Sequence, residues 1–225
     1  MATISNVKYQ HENFKIDIPR WDIPDRGITC VLGASGSGKT TLLEIIAGLI
    51  PCPTLEINLR GQDLAKLSVG ARNMSFVFKD FRLFPHMTVE ENILFHASSR
   101  KIDSATAKSR CEKLISRLGL EKIRNQKAST LSGGEQQRTA LARALVTEPN
   151  MILLDEPLSS LDEFRRADVR ILLRELSEEF QAPFILVTHD VRDVKALASS
   201  ALLMSEGLVI AQGTAAEVLK QLPQN

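Results

Sequence analysis

The sequence predicts one α/β domain built on a parallel sheet and a phosphate-binding loop, and three stretches predict it. Gly33-Ala34-Ser35-Gly36-Ser37-Gly38-Lys39-Thr40 fits GxxxxGK[ST] and lies between an apolar β-type run, Ile28 to Leu32, and a helix-like run, Thr41 to Gly48. Met151 to Leu154 and Phe184 to Val187 are wholly apolar and strand-length, the pattern of strands covered on both faces of a parallel sheet. Each ends in polar chemistry, Asp155-Glu156 after the first and Thr188-His189-Asp190 after the second. Ligands of such sheets bind beyond the strand C-termini, so these side chains are expected beside the loop.

The bulk properties agree with one large domain. The chain has 225 residues, 44% of them hydrophobic and 24% charged, enough for a sizeable core and an inserted subdomain. Lys plus Arg number 28 against 27 Asp plus Glu, which offers nucleic acid no basic footprint, and no nucleic-acid partner is expected. No apolar run approaches the roughly 18 residues of a bilayer span, so the chain is not expected to be integral to a membrane, and a membrane partner stays open. Cys30, Cys52 and Cys111 are scattered without a CxxC pair, which suggests neither disulfides nor zinc and fits a reducing compartment. Met1 to Gln10 lacks an apolar segment, so no cleaved leader is expected.

Taken in order, Ile4 to Ile18 alternates loosely before Pro19, Pro24 and the Asp25-Arg26-Gly27 turn, which reads as a hairpin or two short strands. Tyr9 in this lead-in can stack on a base or sit half-buried in a strand. In the loop, glycines permit backbone angles that let successive N–H groups converge on a polyphosphate at the positive end of the next helix. Lys39 can reach β- and γ-phosphates, and the Thr40 hydroxyl can ligate Mg²⁺. Leu55 to Leu59 alternates as an exposed strand between turns, and Met74 to Phe78 is a further strand. The loop Lys79 to Met87 then carries Phe81, Phe84 and Met87, which either fold inward or await a partner. Thr88-Val89-Glu90-Glu91 is a helix cap, and Cys111 to Leu118 is a helix stopped by Gly119. Leu131 to Arg138 opens another helix, where Ser132-Gly133-Gly134 is an ordinary cap or a second anion-binding turn. Ala167, Ile171, Leu172, Leu176 and Phe180 form the expected core face of a helix whose solvated side holds Arg165, Arg166, Arg170 and Arg174. Leu202 to Gly213 reads as a hairpin around Ser205-Glu206-Gly207, and Ala215 to Leu222 as a closing helix.

Over nearly its whole length the chain resembles the nucleotide-binding subunit of ATP-binding cassette (ABC) transporters. Gly33 to Thr41 resembles the family's Walker A, Leu131 to Arg138 its signature sequence, and Met151 to Glu156 its Walker B with the catalytic glutamate. Ser160-Leu161-Asp162 resembles the D-loop, His189 the switch histidine, and Tyr9 the base-stacking aromatic. The resemblance implies a P-loop NTPase: a RecA-like core with a mixed sheet and an N-terminal antiparallel β subdomain. Within a single domain, 1–225, it places an inserted α-helical subdomain at 82–148 that carries the signature.

ATP and Mg²⁺ are the implied ligands. Gly33, Ala34, Ser35, Gly36, Ser37, Gly38, Lys39, Thr40 and Thr41 would hold the phosphates, and Thr40 with Asp155 the metal. Glu156 would polarise water and His189 contact the γ-phosphate, while Ser132, Gly133, Gly134 and Asp162 would belong to the closure with a second, head-to-tail copy. A transmembrane permease would dock near Phe81 to Met87, leaving the chain on the cytoplasmic inner face of the membrane. The run from Asp155 to Asp162 looks more like importers of sugars, metal ions, oxyanions or thiamine-type solutes than like exporters or lipid and lipoprotein extractors. A soluble ABC ATPase acting outside transport usually adds long insertions or a second cassette, and a P-loop kinase has no use for the signature turn. One residue departs from the family: Lys79 stands after Phe76-Val77-Phe78, where the family has glutamine. An ammonium has only donors and cannot ligate Mg²⁺, so Asp80, a water or direct γ-phosphate contact would take over, with Lys79 expected in solvent when nucleotide is absent.

Overall fold

The computed structural model describes residues 1–12, 14–159 and 161–222. Its strands are β1 (Ala2–His11), β2 (Phe14–Ile23), β3 (Gly27–Leu32), β4 (Glu56–Leu59), β5 (Gln62–Asp63), β6 (Met74–Val77), β7 (Met151–Asp155), β8 (Pro183–Thr188), β9 (Ser200–Ser205) and β10 (Leu208–Thr214). The helices are α1 (Lys39–Ala47), α2 (Val89–Ser99), α3 (Ser104–Arg117), α4 (Gly133–Leu145), α5 (Glu163–Glu179), α6 (Val191–Leu197) and α7 (Ala215–Leu219).

All ten strands join one sheet in the order β5-β4-β1-β2-β10-β9-β3-β8-β7-β6. From β9 to β6 the neighbours are parallel, whereas β1 pairs antiparallel with β2 and β4, so the sheet is mixed as the resemblance implied. Alternation divides the apolar residues between two cores. Cys30, Ile152, Leu154 and Leu186 face one shared with α2, α3 and α4. Val31, Leu153, Ile185 and Val187 face the other, where Leu42, Leu43, Ile45 and Ile46 of α1 meet Ile4, Ile16 and Trp21 of the hairpin. Each such side chain, fully buried, contributes about 1.5–3 kcal/mol, which is why the parallel strands read as unbroken apolar runs.

Of the two readings open for the N-terminal stretch, the structure shows the hairpin, with strands of ten residues each, because the ladder steps over Asn6 and Pro19, the latter having no amide to donate. Two expectations are corrected. β4 is half-buried rather than exposed: Ile57 and Leu59 pack inward where the strand pairs with β1, leaving Glu56 and Asn58 outside. On α5 the buried residues are Leu173, Leu176 and Ser177, while Ile171 is 56% exposed and Ala167 is also outside. That rotation turns Arg166 and Arg170 inward, where each finds carboxylate partners.

The helices α2, α3 and α4 all fall between β6 and β7 in sequence. α2 starts with the expected box, Glu91 N donating to Thr88 Oγ1 at 3.1 Å and Thr88 N to Glu91 Oε2 at 2.8 Å. Phe81 folds inward, whereas Phe84 and Met87 stay half-buried beside exposed Pro85 and His86. Among the described residues no helix is long and apolar enough to cross a membrane.

Candidate nucleotide site

β3 delivers the chain to the loop and α1 takes it away. Gly36 and Gly38 have φ of +81° and +96°, and a Cβ on Gly33 would stand 2.4 Å from the Met204 carbonyl oxygen, so side chains are excluded where the backbone must turn. Lys39 is 5% exposed and folds back over the loop, its Nζ donating to the Ala34 carbonyl at 2.7 Å and lying 3.4 Å from Ser37 Oγ. Burial lowers its pKa below the ordinary lysine value, against the pull of Glu156 and Asp155. The β9–β10 turn braces the loop from behind: Gly207 N donates to the Ser37 carbonyl at 3.0 Å. An open cleft of about 340 Å³ lies over the loop, lined by Phe14, Ser35, Gly36, Gly38, Lys39, Thr40, Thr41 and Glu156.

β7 and β8 bring the remaining groups to this edge. Asp155 is buried at the end of β7, where desolvation raises its pKa and the Thr40 hydroxyl, donating to Oδ1 at 2.8 Å, opposes the rise. The next residue, Glu156, takes φ +44° and turns its side chain out of the strand. Burial pushes the Glu156 carboxyl up, but Lys79 and His189 outweigh it and hold it below the usual carboxylate value. Lys79 does not stand free in solvent as expected: its Nζ lies 2.7 Å from Glu156 Oε2. β6 and β7 are parallel neighbours, so the residue two past Val77 emerges beside the residue just past Asp155. With the lysine side chain 59% exposed, this pair stabilises by about 1 kcal/mol or less. His189 approaches the other oxygen, Nδ1 to Oε1, at 3.5 Å, too long for a good hydrogen bond.

The loops carrying Glu156 and His189 are tied together by α5. Arg166 donates from Nε to the Leu161 carbonyl at 2.9 Å and from Nη2 to the Ser159 carbonyl at 3.3 Å, and its Nη1 pairs with Asp190 Oδ2 at 3.2 Å. Arg170 pairs with Asp193, which also accepts from Thr188 Oγ1 at 2.7 Å. Both arginines work as internal cross-links.

Other expected site residues are not drawn into the cleft by the single chain. Ser132 sits at the start of α4, donating from N and Oγ to Glu135 Oε2 at 2.8 and 2.7 Å. Asp162 caps α5, accepting from Arg165 N at 3.0 Å, and Ser160 of the expected D-loop lies outside the described residues. Tyr9 pairs with Ile16 across the hairpin and packs on the core beneath it.

The profile of the family described as ABC transporter matches residues 17–159, from β2 through both carboxylates. The chain belongs to the ABC transporter family. It is 41% identical over 217 residues to a sulfate/thiosulfate import ATP-binding protein CysA of Synechocystis, spanning 96% of this chain and 61% of that protein's length. A probable sulfate/thiosulfate import ATP-binding protein CysA of Chlorella vulgaris is 39% identical over 216 residues, 96% of this chain and 92% of that one. Among solved structures, cbiO1 of Clostridium perfringens, part of the ABC transporter complex cbiONQ, superposes with a TM-score of 0.84 at 26% identity, covering 98% and 90% of the two chains. The dimeric, post-hydrolysis ATP-binding cassette MJ0796 bound to ADP and Pi superposes with a TM-score of 0.80 at 28% identity, covering 96% and 99%.

Within this ABC fold, the aromatic at the cleft is Phe14 rather than Tyr9. A Cβ on Gly38 would stand 2.7 Å from the Phe14 ring, so the ring lies directly against the loop. The readable signal was the spacing Phe14, Ile16, Ile18, which puts all three on one strand face. Arg166 and the Gly207 turn carried no such local signal, since their partners are set by the assembled sheet.

Proposed function

We propose that this chain binds and hydrolyses ATP to power import of a small oxyanion through a separate transmembrane permease. The observation that carries the reading is the convergence of the Gly33–Thr40 loop, Asp155 and Glu156 on one cleft. ATP would enter with its phosphates over the loop amides, and Lys39, already folded inward, would exchange the Ala34 carbonyl for β- and γ-phosphate oxygens. Thr40 and Asp155 would hold Mg²⁺. Their oxygens are 2.8 Å apart, and the carboxylate is desolvated with a hydroxyl as its partner, which suits an ion that takes one or two protein oxygens and completes its shell with water and phosphate. When bound, the ion neutralises charge on the β- and γ-oxygens.

Glu156 would orient and deprotonate the attacking water, and His189 would meet the γ-phosphate from the end of β8. Ser132, Gly133, Gly134 and Asp162 would serve the nucleotide of a second, head-to-tail copy, joining the two chains only while ATP bridges them. The permease would dock at Phe81 to Met87. Its support is an aromatic patch in which the Phe84 and Phe95 rings lie 4.6 Å apart and Phe95 is 45% exposed. Such docking would place the chain peripherally on the inner face of the membrane. The oxyanion assignment rests on the sulfate/thiosulfate importers among the relatives. The test is MgATP-dependent phosphate release by the purified chain, then sulfate uptake into vesicles holding the co-expressed permease. Absence of phosphate release in both settings would refute the hydrolytic reading, and ATPase activity without sulfate-dependent uptake would refute the solute.

A further inference from the structure

We propose that Lys79 is a positioning residue that latches Glu156 in the single chain and releases it only when the segment carrying Lys79 moves with α4. The proposal rests on the reading of Glu156 as the water-polarising group. Both carboxylate oxygens are already approached, Oε2 by the Lys79 ammonium at 2.7 Å and Oε1 by His189 at 3.5 Å, so a water entering the cleft competes with an ammonium for the same acceptor.

The lysine's own anchorage lies in the helical segment. Phe81 and Arg82 both adopt left-handed backbone angles, φ +59° and +43°, unusual for non-glycine residues and sustained only where surrounding contacts enforce them. Arg143 of α4 supplies those contacts, donating from Nη2 to the Phe81 carbonyl at 2.6 Å and from Nη1 to the Arg82 carbonyl at 2.7 Å. The Arg82 guanidinium lies over the Phe78 ring at 3.7 Å, closing the turn around Lys79 from its other side. Lys79 is therefore strapped to one end of α4, while Ser132, Gly133 and Gly134 stand at the other end. A second copy's nucleotide that shifts the Ser-Gly-Gly end shifts the strap, and the ammonium leaves the carboxylate. A glutamine in this place would pair with Glu156 only as a neutral donor. The lysine thus adds a charge-based hold on hydrolysis until the second chain is engaged.

The test compares Lys79→Met, Lys79→Gln and Lys79→Arg by steady-state phosphate release across ATP concentrations, with Glu156→Gln and the Lys79→Met/Glu156→Gln double variant alongside. Removing the ammonium should raise kcat about fivefold, the factor an exposed ion pair of this kind is worth, with KM for ATP within about twofold of the parent. Lys79→Arg keeps the cation and should keep the parental rate, and the double variant should be as inactive as Glu156→Gln. A merely structural lysine would not split kcat from KM in this way. The latch is overturned if Lys79→Met and Lys79→Gln, melting normally and binding ATP, turn over no faster than the parent, or if Lys79→Arg gains as much as they do. If the parent itself neither binds ATP nor releases phosphate, the ATPase reading fails and takes the latch with it. If the parent hydrolyses, Glu156→Gln does not, and only the Lys79 variants disappoint, the latch alone is wrong.

Discussion

At the start of α1, Gly38 caps the helix with φ +96°, no side chain accepts from its first-turn amides, and the first turn holds no acid. At the start of α4, Ser132 donates both its amide and its hydroxyl to Glu135, an acid in the first turn. Both turns are glycine-bearing helix starts of the kind that binds anions, yet only the second carries an acid of its own in the first turn. At the second, Ser132 holds that carboxylate beside the turn and lowers its pKa. The difference teaches that the phosphate loop offers an uncountered helix start within one chain, whereas the Ser132 turn carries its own acid and, under the proposed reading, would serve only another chain's nucleotide.

The comparison can be sharpened or broken by variants of decreasing effect. Glu156→Gln should leave ATP binding to the loop intact while phosphate release falls by about 10²- to 10⁴-fold, the reach of general acid–base catalysis. Near-normal release from that variant would strip Glu156 of its role. Lys39→Ala should weaken ATP affinity by about ten- to a hundredfold, the loss of a charge-assisted contact facing phosphate, and an undiminished affinity by calorimetric titration would disprove the account of the loop. Ser132→Ala should do the reverse: unchanged affinity in the single chain, but ATP-dependent dimerisation and turnover down by about tenfold, as one lost hydrogen bond to a charged group predicts. Were its monomer affinity to drop like that of Lys39→Ala, the two turns would not differ in kind. The smallest effect belongs to Phe14→Ala, which should cost about two- to tenfold in affinity through lost aromatic packing, while Tyr9→Ala costs nothing measurable. The opposite ranking, by nucleotide fluorescence titration, would return the aromatic role to Tyr9.

What the sequence determined by itself is what neighbouring residues settle among themselves. Gly36 and Gly38 permit their own turn, Thr88 and Glu91 cap their own helix, and the apolar runs at Met151 and Phe184 can be satisfied only inside a sheet. From those local rules followed the α/β fold, the phosphate loop and the edge at which Asp155, Glu156 and His189 emerge. Tertiary structure decided the pairings between residues that the chain keeps far apart. Lys79 and Glu156 are 77 residues apart and meet because β6 and β7 are adjacent and parallel. The same assembly turned Arg166 and Arg170 of α5 inward, since the carbonyls of Ser159 and Leu161 and the carboxylates of Asp190 and Asp193 converge on that side. It also set Phe14 rather than Tyr9 against Gly38, because hairpin register and the position of α1 together choose which ring reaches the loop. Periodicity gives a side chain its face, and only the neighbouring elements give that face its partner.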